Sequence, residues 1–279
     1  MHNLYNLVNW YYQLDKNTER SYMITMGIDI GSTTSKCVIL ENGIRIVASA
    51  LQVGGIGTES PAEVVRKAMA QLGVNRSDIQ AVAATGYGRN RWEDADFQVS
   101  ELSCHGLGVN LLLPSVRTII DIGGQDAKVI SLTQDGKMRN FLMNDKCAAG
   151  TGRFLDVMAT ILQIPVNDMA RYVQAAQKPV SISSTCTVFA ESEVISQLAN
   201  GVDRADLIAG ICESVAARVA ALAKRCTIEK DVCMSGGVAQ NAGVRLALER
   251  DIGCPILFSE WAQLFGAIGA ARYAWQKAE

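Results

Sequence analysis

The sequence is poor in several features that mark common classes of protein. Its 279 residues include only two histidines and five prolines, and charged residues make up 19% of the chain and nearly cancel, to a net charge of −2. This balance gives no sign of a nucleic-acid partner or of an anionic membrane surface. Apolar runs fall short of the roughly 18 residues of a bilayer helix, and nothing resembles a signal peptide. We therefore expect a globular, cytoplasmic protein without a membrane partner.

Cysteine, in contrast, is abundant, with eight residues. Cysteines of a cytosolic chain are usually reduced, and they either pack in the interior or serve metal binding or catalysis. The Cys-x-x-Cys spacing of zinc ribbons and bacterial ferredoxins does not occur. Cys104 is followed by His105, but adjacent residues rarely face each other on a helix, so a nucleophile–base pair is disfavoured. We expect six cysteines to be packing residues: Cys37, Cys104, Cys212, Cys226, Cys233 and Cys254.

A pattern of strands occurs twice along the chain. A strand signal that begins at Met23 ends in the Asp-x-Gly turn of Asp29, and the next strand begins near Lys36. A second such signal ends at Asp121 and continues into a strand near Lys128, so both residues repeat with a constant offset of 92. Chance rarely preserves such a register across strands. We therefore predict two homologous lobes that arose by internal duplication.

Helical patterns alternate with these strands, which predicts α/β lobes whose ligands bind where the strands end. One helix is marked by a predicted capping box that begins at Ser60. We predict a first lobe over 23–116 and a second over 117–279, with the last helix packing back on the first lobe. Residues 1–22 have no clear period and hold several aromatic residues. For them we predict a mobile extension or the product of an upstream start codon, with an aromatic docking patch as the alternative.

Each Asp-x-Gly turn offers chemistry suited to a nucleotide. Glycine lets backbone N–H groups approach an anion, and two carboxylates that face terminal phosphates can hold hydrated Mg²⁺ and orient a water molecule. One such turn alone would more simply be structural, but two in register favour a site. We predict that Asp29 and Asp121 hold Mg²⁺ through water and act in catalysis, with Gln125 positioning the attacking water. Phosphate contacts are predicted for Gly31, Ser32, Thr33, Thr34, Ser35, Lys36, Gly123 and Gly124.

A third glycine motif, SGGVAQN at 235–241, follows a strand and precedes a helix. Its glycines permit the close approach of an adenosine, and the helix N-terminus favours the adjacent phosphates. We predict that this side of the site comprises Ser235, Gly236, Gly237, Gln240, Ser259 and Gln263. Together the three motifs resemble those of the superfamily of sugar and acetate kinases, large heat-shock chaperones and actin. The resemblance implies actin-like, ribonuclease H-like lobes with ATP bound in the cleft between them.

Two cysteines differ from the others in their setting. Cys147 lies in a glycine-rich run before a predicted helix at 153–162, and Cys186 lies in a hydroxyl-rich run before a predicted helix at 189–198. A helix N-terminus lowers the pKa of a nearby thiol and favours a thiolate or an attached anionic cluster. Two thiolates cannot saturate a cluster, so the spacing alone leaves metal ligation open. Two-fold symmetry would supply the four ligands of a [4Fe–4S] cluster.

The segments around these cysteines carry a more specific resemblance, to the 2-hydroxyacyl-CoA dehydratase activators and the related activating subunits of benzoyl-CoA reductases. It rests on four segments: DKCAAGTGRF at 145–154, STCTVFAESE at 184–193, TGYGRN at 85–90 and ELSCH at 101–105. The resemblance implies an oxygen-sensitive homodimer with one bridging [4Fe–4S] cluster, ligated by Cys147 and Cys186 of each chain. It further implies ATP-driven delivery of one electron to an iron–sulfur dehydratase or reductase, drawn from a ferredoxin- or flavodoxin-type reductant.

Two other functions are compatible with the nucleotide motifs. A small-molecule kinase of the same superfamily would phosphorylate a sugar or a carboxylate, and its cysteines would be incidental. A nucleotide-switch protein would bind partners and transfer nothing. Anaerobic purification separates these functions, because only the electron donor requires iron.

Overall fold

The computed structural model describes residues 23–183 and 186–279. The prediction made for residues 1–22 lies outside these ranges. The described residues form two five-stranded mixed sheets with helices packed on their faces. Within the same ranges, no helix has the length and apolar character needed to span a membrane.

The first sheet consists of β1 (Ile24–Ile30), β2 (Thr34–Glu41), β3 (Arg45–Val53), β4 (Ala81–Thr85) and β5 (Phe97–Gln98). Its strand order is β3-β2-β1-β4-β5. The central strand β1 is antiparallel to β2 and parallel to β4. All seven residues of β1 are buried, as expected of a strand covered on both faces.

Helix α1 (Ser60–Leu72) connects β3 to β4 and buries Val64 and Ala68 against the first sheet. It ends at Gly73, whose φ of 66° is the left-handed conformation that glycine adopts without strain. The predicted capping box at Ser60 is wrong. Ser60 is itself the first helical residue, and its hydroxyl donates a hydrogen bond of 2.8 Å to the carbonyl oxygen of Val53, which ties the helix to β3.

The second sheet consists of β6 (Thr118–Ile122), β7 (Ala127–Leu132), β8 (Met138–Asn144), β9 (Val232–Ser235) and β10 (Ile256–Leu257). Its strand order is β10-β9-β6-β7-β8, and β6 is antiparallel to β7 and parallel to β9. Strand for strand, this is the arrangement of the first sheet. The prediction of two α/β lobes from a duplication is confirmed.

The remaining helices are α2 (Glu101–Leu112), α3 (Gly152–Ile161), α4 (Met169–Ala175), α5 (Thr187–Ala199), α6 (Arg204–Lys224), α7 (Ala242–Ile252) and α8 (Phe265–Ala278). Helix α6 shows how apolar spacing builds the core of the second lobe. Asp203 caps the helix by accepting a hydrogen bond of 2.8 Å from the backbone nitrogen of Ala205. Burial of each large apolar side chain contributes about 1.5–3 kcal/mol. Those buried at intervals of three or four are Ile208, Ile211, Val215 and Val219.

Helices α2 and α8 pack against each other with their backbones in contact. A Cβ atom on Gly269 would lie 1.8 Å from the carbonyl oxygen of Cys104, so only glycine fits this helix crossing. Helix α8 also packs on β1, where Thr25 Oγ1 donates a hydrogen bond of 2.9 Å to the carbonyl oxygen of Ala271. Because α2 contacts β7 and β8 on its other side, the helix pair lies between the two sheets.

Candidate functional site

A cleft of about 720 Å³ opens between the two lobes. Its size is in the range of sites that bind small molecules and cofactors. Both lobes contribute to its lining, and so does the start of α2. The structure brings together in this cleft most of the residues that the sequence predicted for a nucleotide site: Asp29, Gly31, Ser32, Thr33, Thr34, Lys36, Asp121, Gly123, Gly124, Gly236, Gly237, Gln240 and Gln263.

Four predicted residues do not line the cleft. Ser35 is buried and donates a hydrogen bond of 2.8 Å to the carbonyl oxygen of Gly54. Gln125 is exposed. Ser235 is buried beneath the cleft floor. The Ser259 hydroxyl accepts a hydrogen bond of 3.2 Å from the backbone nitrogen of Trp261.

The two central carboxylates occupy equivalent positions in the two sheets. Asp29 on β1 is the cross-strand partner of Lys36 on β2, and Asp121 on β6 is the cross-strand partner of Lys128 on β7. Lys36 Nζ lies 3.0 Å from Asp29 Oδ2, and Lys128 Nζ lies 3.4 Å from Asp121 Oδ2. Because each carboxylate already has an ammonium partner, a hydrated Mg²⁺ held through water molecules fits this pair better than direct ligation does.

Lys128 is the centre of a buried ionic network. Its Nζ also lies 2.8 Å from Asp126 Oδ2 and 3.0 Å from Glu101 Oε1. Burial by itself would lower the pKa of Lys128, but the carboxylates of Asp121, Glu101 and Asp126 outweigh burial and raise it. For Asp121, burial raises the pKa, yet attraction to His105 and Lys128 and hydrogen bonds from Ser235 and Lys128 bring it to about 2. Both groups are therefore charged at neutral pH.

Several residues of this network were not predicted. Glu101, His105 and Asp126 line the cleft, and Tyr87 reaches across it to donate a hydrogen bond of 3.0 Å to Asp126 Oδ2. Ligand atoms of Glu101, His105 and Asp121 lie within 4.8 Å of one another. The Lys128 ammonium group contacts two of these three residues, so this cluster is an ion-pair network rather than a cation site. The sequence signal that could have pointed to this network is the match of Lys128 to Lys36 in the repeat.

The glycine motif at 235–241 approaches the cleft closely. Gly236 has a φ of 82°, and a Cβ atom there would lie 2.3 Å from the carbonyl oxygen of Ile122. Asn241 lines the cleft and caps α7 through its side-chain oxygen. Its side chain also hydrogen-bonds the buried Cys212 thiol. The motif therefore borders the cleft both at Gly236 and at Asn241.

The eight cysteines, all within the described part of the chain, divide as predicted. The six expected to be packing residues are buried, whereas Cys147 and Cys186 are exposed. Burial raises the pKa of Cys104 and Cys212 to about 12, which makes their thiols unreactive. Cys147 follows β8 and precedes α3, and Cys186 is the residue immediately before α5. The two exposed thiols thus both precede helices.

The cleft and the Cys147 segment are joined by backbone hydrogen bonds. The carbonyl oxygens of Gly123 and Gly124 accept bonds of 2.9 and 2.8 Å from the backbone nitrogens of Gly152 and Arg153, in the first turn of α3. On its other side Gly124 faces Thr33 of the first lobe, and a Cβ atom on Gly124 would lie 2.3 Å from Thr33 Oγ1. The turns that follow β1 and β6 therefore meet at Gly124.

Comparison with known proteins agrees with this geometry. The chain matches the BadF/BadG/BcrA/BcrD ATPase family over residues 26–274. It is 57% identical over 255 residues to the (R)-2-hydroxyglutaryl-CoA dehydratase activating ATPase of Acidaminococcus fermentans, which covers 91% of this chain and 98% of that protein. It is 54% identical over 257 residues to the 2-hydroxyisocaproyl-CoA dehydratase activator of Clostridioides difficile, with 92% and 97% covered. A benzoyl-CoA reductase subunit of Thauera aromatica is 30% identical over 238 residues, with 82% and 83% covered.

Solved structures show the same relationship. The activator of the 2-hydroxyisocaproyl-CoA dehydratase from Clostridium difficile with bound ADPNP is similar with a TM-score of 0.90 at 55% identity, covering 92% of this chain and 96% of that one. Component A of the Acidaminococcus fermentans (R)-2-hydroxyglutaryl-CoA dehydratase gives 0.89 at 56% identity, covering 92% and 99%. A ROK family glucokinase from Streptomyces griseus shares the fold alone, with a TM-score of 0.57 at 14% identity, covering 91% and 99%. The predicted actin-like fold is confirmed. The chain belongs to the BadF/BadG/BcrA/BcrD ATPase family, and its resemblance to the 2-hydroxyacyl-CoA dehydratase activators is confirmed.

Proposed function

We propose that the protein is a cytoplasmic, ATP-dependent one-electron donor that activates an iron–sulfur 2-hydroxyacyl-CoA dehydratase or a reductase of similar build. Two subunits would share one [4Fe–4S] cluster and take electrons from a ferredoxin- or flavodoxin-type reductant. The activator role is supported by relatives that share more than half of their aligned residues with this chain over nearly their whole length. The cleft supports the ATP-binding half of this function, and the exposed cysteines support the redox half.

One observation carries the link between these halves, the pair of hydrogen bonds from α3 to the Gly123–Gly124 turn. This turn lines the cleft and touches Thr33 of the other lobe, and α3 begins five residues after Cys147. A movement of the turn therefore displaces the start of α3. A nucleotide that binds the closed cleft more tightly than the open one would shift the lobes toward closure. Closure would then reposition the segment that holds Cys147.

We assign the nucleotide half to the lining of the cleft. Asp29 and Asp121 hold Mg²⁺ through water, each beside its ammonium partner, Lys36 or Lys128. The Ser32–Lys36 run and the Gly123–Gly124 turn contact the phosphates, and the Gly236–Gly237 turn contacts the adenosine. These assignments are supported by the placement of all these segments, except Ser35, along one cleft. Mg²⁺ supplies charge neutralisation for the transferred phosphoryl group.

We assign the redox half to Cys147 and Cys186. Both thiols are exposed, and each lies in the segment before a helix. Thiolate is the ligand that iron–sulfur clusters require, and two subunits related by two-fold symmetry supply four of them. The donor set therefore fits a shared [4Fe–4S] cluster, which supplies one-electron redox chemistry when bound.

Anaerobic purification tests the proposal. The protein should be a brown dimer with about four irons, and air should bleach it. The variants Cys147→Ala and Cys186→Ala should each lose the iron while remaining folded. Cys226→Ala removes a buried thiol of the same lobe, so it is the matched control and should retain the iron.

Two outcomes would contradict the proposal. If Cys147→Ala and Cys186→Ala keep their iron, the ligand assignment is wrong. A colourless, iron-free anaerobic preparation that phosphorylates a sugar or a carboxylate would instead identify a small-molecule kinase.

A further inference from the structure

His105 lies at the floor of the cleft, where α2 meets the second sheet. The residue is 6% exposed and lines the cleft beside Glu101. Its Nδ1 is 3.1 Å from Ser235 Oγ and 3.7 Å from Asp121 Oδ1. His105 belongs to none of the three glycine motifs that were assigned to the nucleotide. It nevertheless lies close to the Asp121 carboxylate.

The hydrogen bonds around Ser235 determine which atom carries each proton. Ser235 Oγ lies 2.6 Å from Asp121 Oδ1. The Ser235 hydroxyl is the donor of this bond, so its single proton points to Asp121. At the 3.1 Å contact with His105 the hydroxyl oxygen can then only accept. The hydrogen-bond network therefore assigns a proton to His105 Nδ1, which donates to Ser235.

This arrangement depends on residues that are distant in the chain. Ser235 and Asp121 are parallel cross-strand partners on β9 and β6. His105 enters from α2, whose backbone contacts α8 at Gly108, where a Cβ atom would lie 2.0 Å from the carbonyl oxygen of Phe265. The close packing of α2 on α8 thus fixes the position of the His105 imidazole relative to the Ser235 hydroxyl.

The other edge of the imidazole faces the first lobe. A Cβ atom on Gly266, at the start of α8, would lie 3.3 Å from His105 Nε2 and 3.0 Å from Asp29 Oδ2. One glycine position therefore borders both the imidazole and the first-lobe carboxylate. His105 therefore lies between Asp29 and Asp121, and it contacts Ser235, the residue that donates a hydrogen bond to Asp121.

We propose that His105 is a positioning residue for ATP hydrolysis. By donating to Ser235, it keeps the Ser235 hydroxyl proton directed at Asp121 Oδ1 and holds the carboxylate in one orientation, while Lys128 contacts Oδ2. This inference rests on the role proposed above for Asp121. Loss of the imidazole would leave a carboxylate that rotates, and the cost would fall on turnover rather than on nucleotide affinity.

Three substitutions separate positioning from packing. The amide nitrogen of His105→Asn stands as many bonds from Cα as Nδ1 does, so this variant keeps the donor. The amide nitrogen of His105→Gln stands one bond further out, so this variant fills more volume but misplaces the donor. His105→Ala removes both. Partners that orient a metal-site ligand typically contribute about 10- to 100-fold to activity, and we expect that loss in kcat for His105→Ala and His105→Gln.

The ATPase assay then has defined outcomes. KM for ATP should stay within about threefold of the unmodified protein's value in all three variants, because the contacts that bind ATP in its ground state are unaffected. His105→Asn should recover most of kcat. Ser235→Ala should lower kcat as His105→Ala does, and the double variant should be no worse than either single one, because both act through the same carboxylate. Cys104→Ala, one residue earlier on the same helix, is the control and should keep normal turnover.

Three results would overturn the inference. If His105→Gln is as active as His105→Asn, the residue only fills space. If all three variants turn over normally while Asp121→Asn is inactive, His105 has no role in hydrolysis and the proposed nucleotide site stands. If Asp121→Asn is itself fully active, the assignment of Asp121 fails and the role of His105 falls with it. The Asn–Gln comparison decides the question even if His105→Ala does not fold.

Discussion

The backbone nitrogen of Arg153 donates a hydrogen bond of 2.8 Å to the carbonyl oxygen of Gly124. The donor lies in the helix that follows Cys147, and the acceptor lies in the loop where the two lobes touch through Thr33. A short peptide segment is thus held by the nucleotide cleft at one end and leads to an exposed thiol at the other. In the proposed function, this contact couples ATP in the cleft to the Cys147 segment.

The substitution Gly124→Ala should weaken lobe closure. The added Cβ would lie 2.3 Å from Thr33 Oγ1, and overpacking of this kind costs about 1–3 kcal/mol. We expect a nonhydrolysable ATP analogue to bind more weakly, measured by calorimetry and by a smaller rise in Tm. The control Gly253→Ala lies outside the cleft lining and adds its Cβ where nothing lies within 4 Å. An alanine at its φ of 72° lowers the Tm of the free protein, but it should leave analogue binding unchanged. Equal affinities for both variants would show that closure does not pass through this contact.

The substitution Tyr87→Phe should have a smaller effect on the same equilibrium. The Tyr87 hydroxyl donates to Asp126 across the cleft at 3.0 Å, and a hydrogen bond of this kind contributes about 0.5–1.5 kcal/mol. The analogue should therefore bind up to about tenfold more weakly. Tyr273→Phe, which keeps the ring that packs edge-on against Phe97, should bind it normally. Unchanged or tighter binding of the analogue by Tyr87→Phe would contradict a role for this bond in lobe closure.

The substitution Lys128→Met should destabilise the second lobe strongly. It would leave Glu101, Asp121 and Asp126 without their shared ammonium group, and removal of one partner from a buried ionic network costs about 3–5 kcal/mol. Urea unfolding measures the change. The control Lys137→Met removes an exposed lysine paired with Asp135 and should leave stability unchanged. If both variants unfold at the same urea concentration, the network contributes nothing to stability.

The pH dependence of stability should reveal Asp121. The pKa of this carboxyl is lowered from 3.8 to about 2, because attraction to His105 and Lys128 and hydrogen bonds outweigh burial. A depressed carboxyl pKa adds stability that is fully present above the unfolded value and lost as the pH falls through the folded value. The difference in unfolding free energy between the protein and Asp121→Asn should therefore shrink between pH 3.8 and about 2. A difference that stays constant over this window would contradict the ionic network.

Much of this site could be predicted because its signals are local. Asp29 and Asp121 each end a strand in an Asp-x-Gly turn, and the strand pattern repeats, so their convergence in one cleft follows from the duplication. Cys147 and Cys186 likewise stand in small or hydroxyl-rich runs before helices, whereas the buried cysteines stand in apolar patterns.

What could not be predicted depends on packing between distant segments. Ser235 was expected beside the adenosine, yet its hydroxyl is directed to Asp121, a contact that exists only because β9 pairs with β6. His105 meets this serine because α2 and α8 pack backbone to backbone at glycines. The small residues at 265–271 stand at helix-contact spacing, but they do not indicate which helix packs against them. Ser60 illustrates the same limit, since its hydroxyl bonds to β3 instead of capping a helix.

The central claim is that nucleotide in the cleft changes the environment of Cys147 and Cys186. The reduction potential of the anaerobic, iron-loaded dimer, measured with and without Mg²⁺ and a nonhydrolysable ATP analogue, tests it most directly. The account predicts that the analogue shifts the potential, and that Gly124→Ala at saturating analogue diminishes the shift while keeping its iron. A potential that is identical with and without the analogue would contradict the account.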